Sequence, residues 1–389
     1  MPVTQFGVVG DNITDDTAAM QRAFSSGYPL YVPPLHYRIK SRLNAPFNLK
    51  IRGDYSFGGA SGTFPLFNFR AGVTGIRFPS TAANEILALD MEGLAFHSGE
   101  TQLSFPNGGV GVNIRRCQFT GPTVAGLHSK GFQQEWFLNQ IVFEGGRKGL
   151  YMEQAKGSFS GWASLLDKSA FRDIYCTGQT ENGIDVGAAT SNTCFWESIR
   201  LVHCRQDAWV LRGGLRDWVI IQVNNEGNNY NPGHTIEPTA GSIEMGSRDL
   251  VVVSVAGLEV GHTLTIAGAG APVDVARPTD LYSQVERITG SHIILSDMAG
   301  ATVTNAEVVN FQYCDMKLVS DGNTAPGYIT IIGGNFGSAG TNGIVRYGID
   351  ASSSNVITGM MQQPSHRPTF YDPHNQVTLV GGGNATVRK

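Results

Sequence analysis

Apolar pairs separated by one residue recur down the chain: Leu94/Phe96, Cys117/Phe119, Ile141/Phe143, Ile174/Cys176, Ile199/Leu201 and Ile221/Val223. Their second members lie 23, 24, 33, 25 and 22 residues apart. Apolar positions at i and i+2 put both side chains on one face of a β-strand. A repeat in the twenties then calls for stacked coils, each giving strands to a shared sheet. Ile329/Ile331, Ile357/Gly359 and Leu379 continue the stride. A leucine-rich repeat has this period, but its Leu-rich consensus is missing. A sandwich would bring strands every ~8–12 residues without the longer repeat. The pattern predicts an all-β parallel solenoid. Residues 250–310 break the rhythm: LVVVSVAGLEVGHTLTIAGAGAP and SHIILSDMAGATVTNAEVV alternate as half-exposed strands. That stretch is expected to be a small inserted β-barrel-like module.

The N-terminal segment has a different pattern. Asp15, Asp16 or Thr17 can cap a helix over Ala18–Phe24, followed by a strand at Tyr28–Val32, Pro33-Pro34, and Tyr37-Arg38-Ile39. Both acids are expected to serve the helix start rather than catalysis. The run from Phe6 reads F-G-x-x-G-D-x-x-T-D-D-T-x-A-x-Q-x-A, with a Val-Pro strand and a Tyr after it. It resembles the opening of pectate-lyase-like parallel β-helix proteins, and in particular bacteriophage tailspikes that degrade surface polysaccharides. The resemblance covers about the first forty residues. It implies a right-handed single-stranded parallel β-helix with an N-terminal capping helix, assembled as a homotrimer on a virion tail. The expected organisation is a cap at 1–45, a β-helix with a substrate groove at 46–249, the inserted module at 250–310 and further coils at 311–389. The motif begins at Phe6, so attachment to the phage is expected through a tail or adaptor protein, unless the chain is trimmed.

Composition narrows the function classes. Net charge is −4 and 15% of residues are charged, so no electrostatic footprint for nucleic acid is present. No apolar run reaches ~18 residues and the N-terminus lacks a basic start with an apolar stretch, so neither membrane insertion nor a signal peptide is expected. Cys117, Cys176, Cys194, Cys204 and Cys314 are odd in number, with no CxxC, and read as reduced core residues. The sequence contains no GxxxxGK[ST], GxSxG or HExxH. No metal or other cofactor is expected.

Candidate chemistry concentrates in the middle third. All five tryptophans, Trp136, Trp162, Trp196, Trp209 and Trp218, fall there, and tryptophan suits stacking on sugar faces. Superposing AGLHS, KGLYM, NGIDV and DAWVL makes an outward column of His128, Tyr151, Asp185 and Trp209, the last uncertain by one residue. The longest coil inserts a loop with Glu153 and Trp162 beside that column. A second polar column holds Glu92, Arg115, Asn139, Arg172 and Glu197, which reads equally as a structural Arg–Glu ladder. Glycoside hydrolysis needs two carboxylates; Asp185 and Glu153 lead the candidates, followed by Glu135 and Glu197. His128, Trp136, Tyr151, Trp162, Trp209, Arg147 and Arg172 are the expected substrate contacts. The resemblance implies a tailspike depolymerase that endo-hydrolyses a bacterial capsule or lipopolysaccharide O-antigen. The alternatives are a lyase on a uronic-acid polymer, with Tyr151, His128 or Lys148 as base, and a receptor-binding spike without catalysis.

Overall fold

Parallel backbone ladders join each coil to the next in a computed structural model of the chain, which describes residues 1–55, 64–79, 86–153, 165–215, 217–226, 228, 239–270, 281–312, 316–319, 329–335, 344–347, 357–360, 369–371, 377–379 and 386–388. Strands such as Gly108–Thr120 and Phe132–Glu144 pair in register along their length, Ile114 with Leu138 and Phe119 with Phe143. The next coils repeat the pairing, Phe143 with Cys176 and Cys176 with Leu201. The result is a parallel β-helix. Its bends recur at one register position. Ala88, Gly111, Glu135, Lys168, Thr193 and Asp217 all have positive φ and stack at one corner. Gly93, Arg116, Gln140, Asp173, Ser198 and Gln222 stack at the next. Left-handed backbone costs a non-glycine residue roughly 1–2 kcal/mol, so these bends are held by the ladders on either side.

The interior is a set of apolar columns. Phe96, Phe119 and Phe143 stack at 5.0 Å centroid spacing, with Cys176 and Leu201 above them. Trp136, Trp196, Trp209 and Trp218 are all fully buried here. One column runs Trp136, Ser169, Cys194, Trp218, so small residues occupy the rungs between the two indoles. Trp196 fills the neighbouring column, 3.9 Å from the Phe171 ring. The tryptophan clustering therefore reflects core volume, and Trp136 and Trp209 are not sugar-stacking platforms. Trp162 lies outside the described residues. The last of the early apolar pairs also shifts: Ile221 faces outward, while Val223 pairs with Ile199 and Asn225 with Leu201.

Gly149 and Gly183 open successive coils at a tight approach. A Cβ on Gly149 would come 2.6 Å from the Gly183 carbonyl, and one on Gly183 would come 2.9 Å from the Cys176 Cβ. Cys117, Cys176, Cys194 and Cys204 are buried in this core as thiols, and burial pushes Cys117 and Cys194 up to about 12; Cys314 lies outside the described residues.

At the N-terminus the helix Thr17–Phe24 turns Ala19, Met20, Ala23 and Phe24 into the open end of the solenoid. Its start differs from expectation. Asp15 receives the Thr17 backbone N–H at 3.1 Å and its hydroxyl at 2.6 Å. Asp16 makes no side-chain cap bond. Its buried carboxylate instead accepts the Val9 and Gly10 N–H groups at 2.7 and 3.0 Å, fastening the preceding loop.

A second core belongs to a closed antiparallel barrel of six strands: Thr239–Ile243, Asp249–Val252, Thr263–Ile266, Leu281–Thr289, His292–Leu295 and Val303–Gln312. Leu250, Leu264, Ile266, Val285, Ile293, Leu295 and Val308 fill it. The first described barrel strand starts at Thr239, before the boundary expected at 250. This strand, TAGSI, lacks the apolar alternation of its neighbours because Gly241 takes the place of an inward apolar side chain. The solenoid resumes as if uninterrupted: Trp209–Leu215 pairs with Met316–Val319, and Trp218–Glu226 with Ile329–Asn335.

Two outcomes follow. Asp16→Ala should cost about 2 kcal/mol or more, because the buried Gly10 N–H and the part-buried Val9 N–H lose their acceptor, whereas Asp15→Ala should cost about 1 kcal/mol or less; urea titration of both variants measures the difference, and equal losses would contradict the assignment. Replacing 227–315 by a copy of the preceding turn, 203–208, should leave a cooperatively melting solenoid, since that turn already joins Val202 to Trp209 at the equivalent place; loss of the cooperative transition would show the barrel to be integral.

Candidate functional site

The candidate site lies on one outer face, built by strands Thr101–Phe105, Ala125–Lys130, Lys148–Glu153, the start of Ile184–Val202, and Trp209–Leu215. Leu127 and Ser129, Leu150 and Met152, and Ile184 and Val186 are buried, so the residue between each pair faces outward. The ladders align Ser104, His128, Tyr151 and Asp185 on consecutive rungs. Val210, not Trp209, occupies the next rung. Ala208 stands where Gly126, Gly149 and Gly183 open the earlier coils, so Trp209 is in register with Ile184 and faces inward. A parallel column two residues on carries Lys130, Glu153, Gly187 and Arg212.

These side chains form one network. The His128 and Tyr151 rings stack at 4.6 Å, nearly parallel at 10°. His128 Nε2 is 3.0 Å from Glu153 Oε2, and Lys130 Nζ binds the same oxygen at 2.7 Å. Asp185, with its side chain 2% exposed, accepts Lys148 Nζ at 2.6 Å and Arg212 Nε at 3.0 Å. Lys148 lies 4.0 Å over the Tyr151 ring. Glu181, bound to Arg147, is 3.9 Å from the same ammonium. Lys130, Arg147, Lys148 and Arg212 thus face Glu153, Glu181 and Asp185, four cations to three carboxylates.

Burial and neighbours push the titrating groups apart. Burial alone would raise the Asp185 carboxyl, but Arg212 and Lys148 outweigh it and hold it below the usual carboxylate range. Glu153 behaves likewise: burial raises it, and Lys130 and His128 bring it below its ordinary value. For His128 burial wins over the Glu153 carboxylate, so the imidazole titrates below its ordinary range. Burial, then the Asp185 and Glu153 charges, push the Tyr151 hydroxyl up to about 12. At neutral pH the face therefore presents two ionised, paired carboxylates, a neutral imidazole and a protonated phenol. That set can accept one proton at His128 and donate another at Tyr151.

The model of the rhamnogalacturonase A/epimerase, pectate lyase-like family matches residues 1–208, more than half of the chain and every residue of this network except Arg212. The chain belongs to this family. It is 39% identical over 51 residues to a pre-neck appendage protein of Bacillus phage B103, a match spanning 13% of this chain and 6% of that protein. Among solved structures it is similar to the pre-mature gene product 12 of bacteriophage phi29, at 12% identity and TM-score 0.45, covering 98% of this chain and 42% of that one. It is also similar to the catalytic unit of an α-1,3-glucanase from Streptomyces thermodiastaticus, at 10% identity and TM-score 0.37, covering 99% and 68%.

In this pectate lyase-like chain the structure brings together His128, Tyr151, Glu153 and Asp185, with Arg147 one contact away through Glu181. Among the described residues it does not bring in Glu135, Glu197 or Arg172. Glu135 stands exposed at a left-handed bend, around the corner from the face. Glu197 and Arg172 pair with each other at 3.2 Å on a different face, in the ladder of Glu92, Arg115 and Asn139. Lys130 was absent from the expected set, although two-residue alternation from His128 marks it as a neighbour on the same face.

Asp185→Asn should lower stability by on the order of 3 kcal/mol, because it leaves Lys148 and Arg212 unmatched beside a buried amide. Glu153→Gln, half-exposed, should cost about 1 kcal/mol or less. Thermal melts compare them; an unshifted melt for Asp185→Asn would contradict a holding role and return Asp185 to the candidates for chemistry.

Proposed function

We propose that this chain is the polysaccharide-cleaving β-helix of a phage appendage, and that it breaks an acidic bacterial surface polysaccharide by β-elimination. The observation that carries this reading is the stacked His128–Tyr151 pair, whose proton affinities are driven in opposite directions within a cationic surround. Environments that separate two titrating groups in this way assign a base and an acid. In the proposed step His128 Nδ1 takes the proton from the carbon next to the uronate carboxylate, while its Nε2–H donates to the ionised Glu153. The C–H electron pair forms a double bond, the bond to the glycosidic oxygen breaks, and Tyr151 gives that oxygen its proton. Lys148 and Arg212 offer the positive charge that an enolate-like carboxylate needs. Asp185 and Glu153 position those groups: Asp185 anchors Lys148 over Tyr151, and Glu153 orients His128.

Endo-hydrolysis, the other enzymatic reading, has two carboxylates on the right face in its favour. It needs one of them protonated near neutrality. Asp185 and Glu153 are both shifted the other way, which favours elimination. Carriage on a virion is supported by the family resemblance of the N-terminal segment and by the phage B103 relative.

Acidic capsule polysaccharides incubated with the protein should lose viscosity and gain the absorbance of unsaturated uronates. His128→Gln and Tyr151→Phe should each lower turnover by about a hundredfold or more, with melting and polymer retention unchanged. The pH profile has a defined sign. His128 must be neutral and Tyr151 protonated, so kcat/KM should hold to below the ordinary imidazole value of about 6.5 and fall at high pH only as Tyr151 ionises toward 12. Viscosity loss without the absorbance favours hydrolysis. Retention of polymer at unchanged viscosity makes the protein a receptor-binding spike.

A further inference from the structure

The outward column does not begin at His128. Ser104 pairs with Arg77 on the rung before it, and Arg77 with Asn44 on the rung before that. Leu43, Ile76, Phe78, Leu103 and Phe105 are buried on either side, so Asn44, Arg77 and Ser104 project from the same face as His128, Tyr151 and Asp185. The support beneath them is firm. Gln21 of the capping helix holds the Asn44 backbone from both sides, donating to its carbonyl at 2.9 Å and accepting its N–H at 2.8 Å.

Charge distinguishes this end of the face. Among the described residues, Lys130, Lys148, Arg212 and Lys317 are each tied to a carboxylate: Glu153, Asp185, Asp185 and Asp207 respectively. Arg77 is on the same face, half-buried, and enters no ion pair among the described residues. Among the described residues its guanidinium is thus the uncommitted cation of the column, flanked by a hydroxyl and an amide. A planar fork with neighbouring hydrogen-bonding groups matches a carboxylate. Arg77 stands two rungs, roughly 10 Å, from His128, so it meets a different sugar unit from the one at the His128–Tyr151 pair.

We propose that Asn44, Arg77 and Ser104 form a carboxylate-binding subsite that engages a second acidic sugar of the same polymer chain. The polymer then runs along the solenoid axis, and the enzyme selects for acidic units on both sides of the reacting bond or in its near vicinity. This rests on the reading of the face as a site for acidic polysaccharide.

The test uses the full chain carrying Tyr151→Phe, so that bound oligomers are not consumed. The probes are size-graded oligomers of galacturonate, of mannuronate–guluronate and of hyaluronan, each also in carboxyl-reduced form. Titration calorimetry should show affinity rising about tenfold from the shortest to the longer oligomers of at least one acidic series. Adding Arg77→Gln should remove that rise and leave affinity for the shortest oligomer and the melting temperature unchanged. Arg77→Lys should restore part of it. A rise that persists in Arg77→Gln overturns the subsite while leaving the acidic-polymer reading intact. Binding of the carboxyl-reduced series alone, or of no acidic oligomer, overturns both.

Discussion

Registered stacking of parallel coils is the constraint on which everything else in this molecule depends. Each backbone ladder places a residue directly over its counterpart one coil earlier, about 4.8 Å away. Inward positions therefore become columns, and a column has a volume to fill rather than a single pocket. The run Trp136, Ser169, Cys194, Trp218 shows the consequence: two small residues make room between two large ones along the axis, far apart in sequence and adjacent in space. The same rule applies outside. Residues that are 23 to 34 positions apart meet as neighbours, so a site can be assembled from one residue per coil, as His128, Tyr151 and Asp185 are.

That construction explains the electrostatics of the face. The ladder forces Asp185 beside Tyr151 at a position with almost no exposure, and a lone carboxylate there would be costly. Lys148 and Arg212 neutralise it, and in doing so bring positive charge over the phenol. Glu153, two residues beyond Tyr151, falls beside His128 and Lys130 for the same geometric reason. The carboxylates are thereby committed to holding cations. For the imidazole burial outweighs the Glu153 carboxylate, for the phenol it is also the dominant influence, and it moves the two in opposite directions on the proton scale.

How far the sequence discloses this depends on how local each signal is. The coil repeat was legible because inward apolar pairs return at a nearly constant stride. The column of His128, Tyr151 and Asp185 was legible because a glycine precedes each by two residues, and Gly149 and Gly183 are required by close contact with the next coil. At the next coil no glycine marks the step, and the register puts Val210 rather than Trp209 in the column. The tryptophans misled for a physical reason: an indole suits a sugar face and a wide core equally, and only the partner column, invisible in a single sequence, decides between them. The commitment of Asp185 to two cations was hidden too, since Lys148 lies 37 residues before it and Arg212 27 residues after. The first barrel strand was lost where Gly241 interrupts the alternation.

The proposed elimination and its hydrolytic alternative differ in what becomes of water. Elimination consumes no water, whereas hydrolysis places a water oxygen on the product. Digestion of an acidic capsule polysaccharide in heavy-oxygen water, followed by mass spectrometry of the released oligosaccharides, separates the two without reference to any variant. The account predicts products that lack the mass of one water and carry no heavy oxygen at the cleaved end. Stoichiometric incorporation of heavy oxygen would contradict it and assign the chemistry to a carboxylate pair.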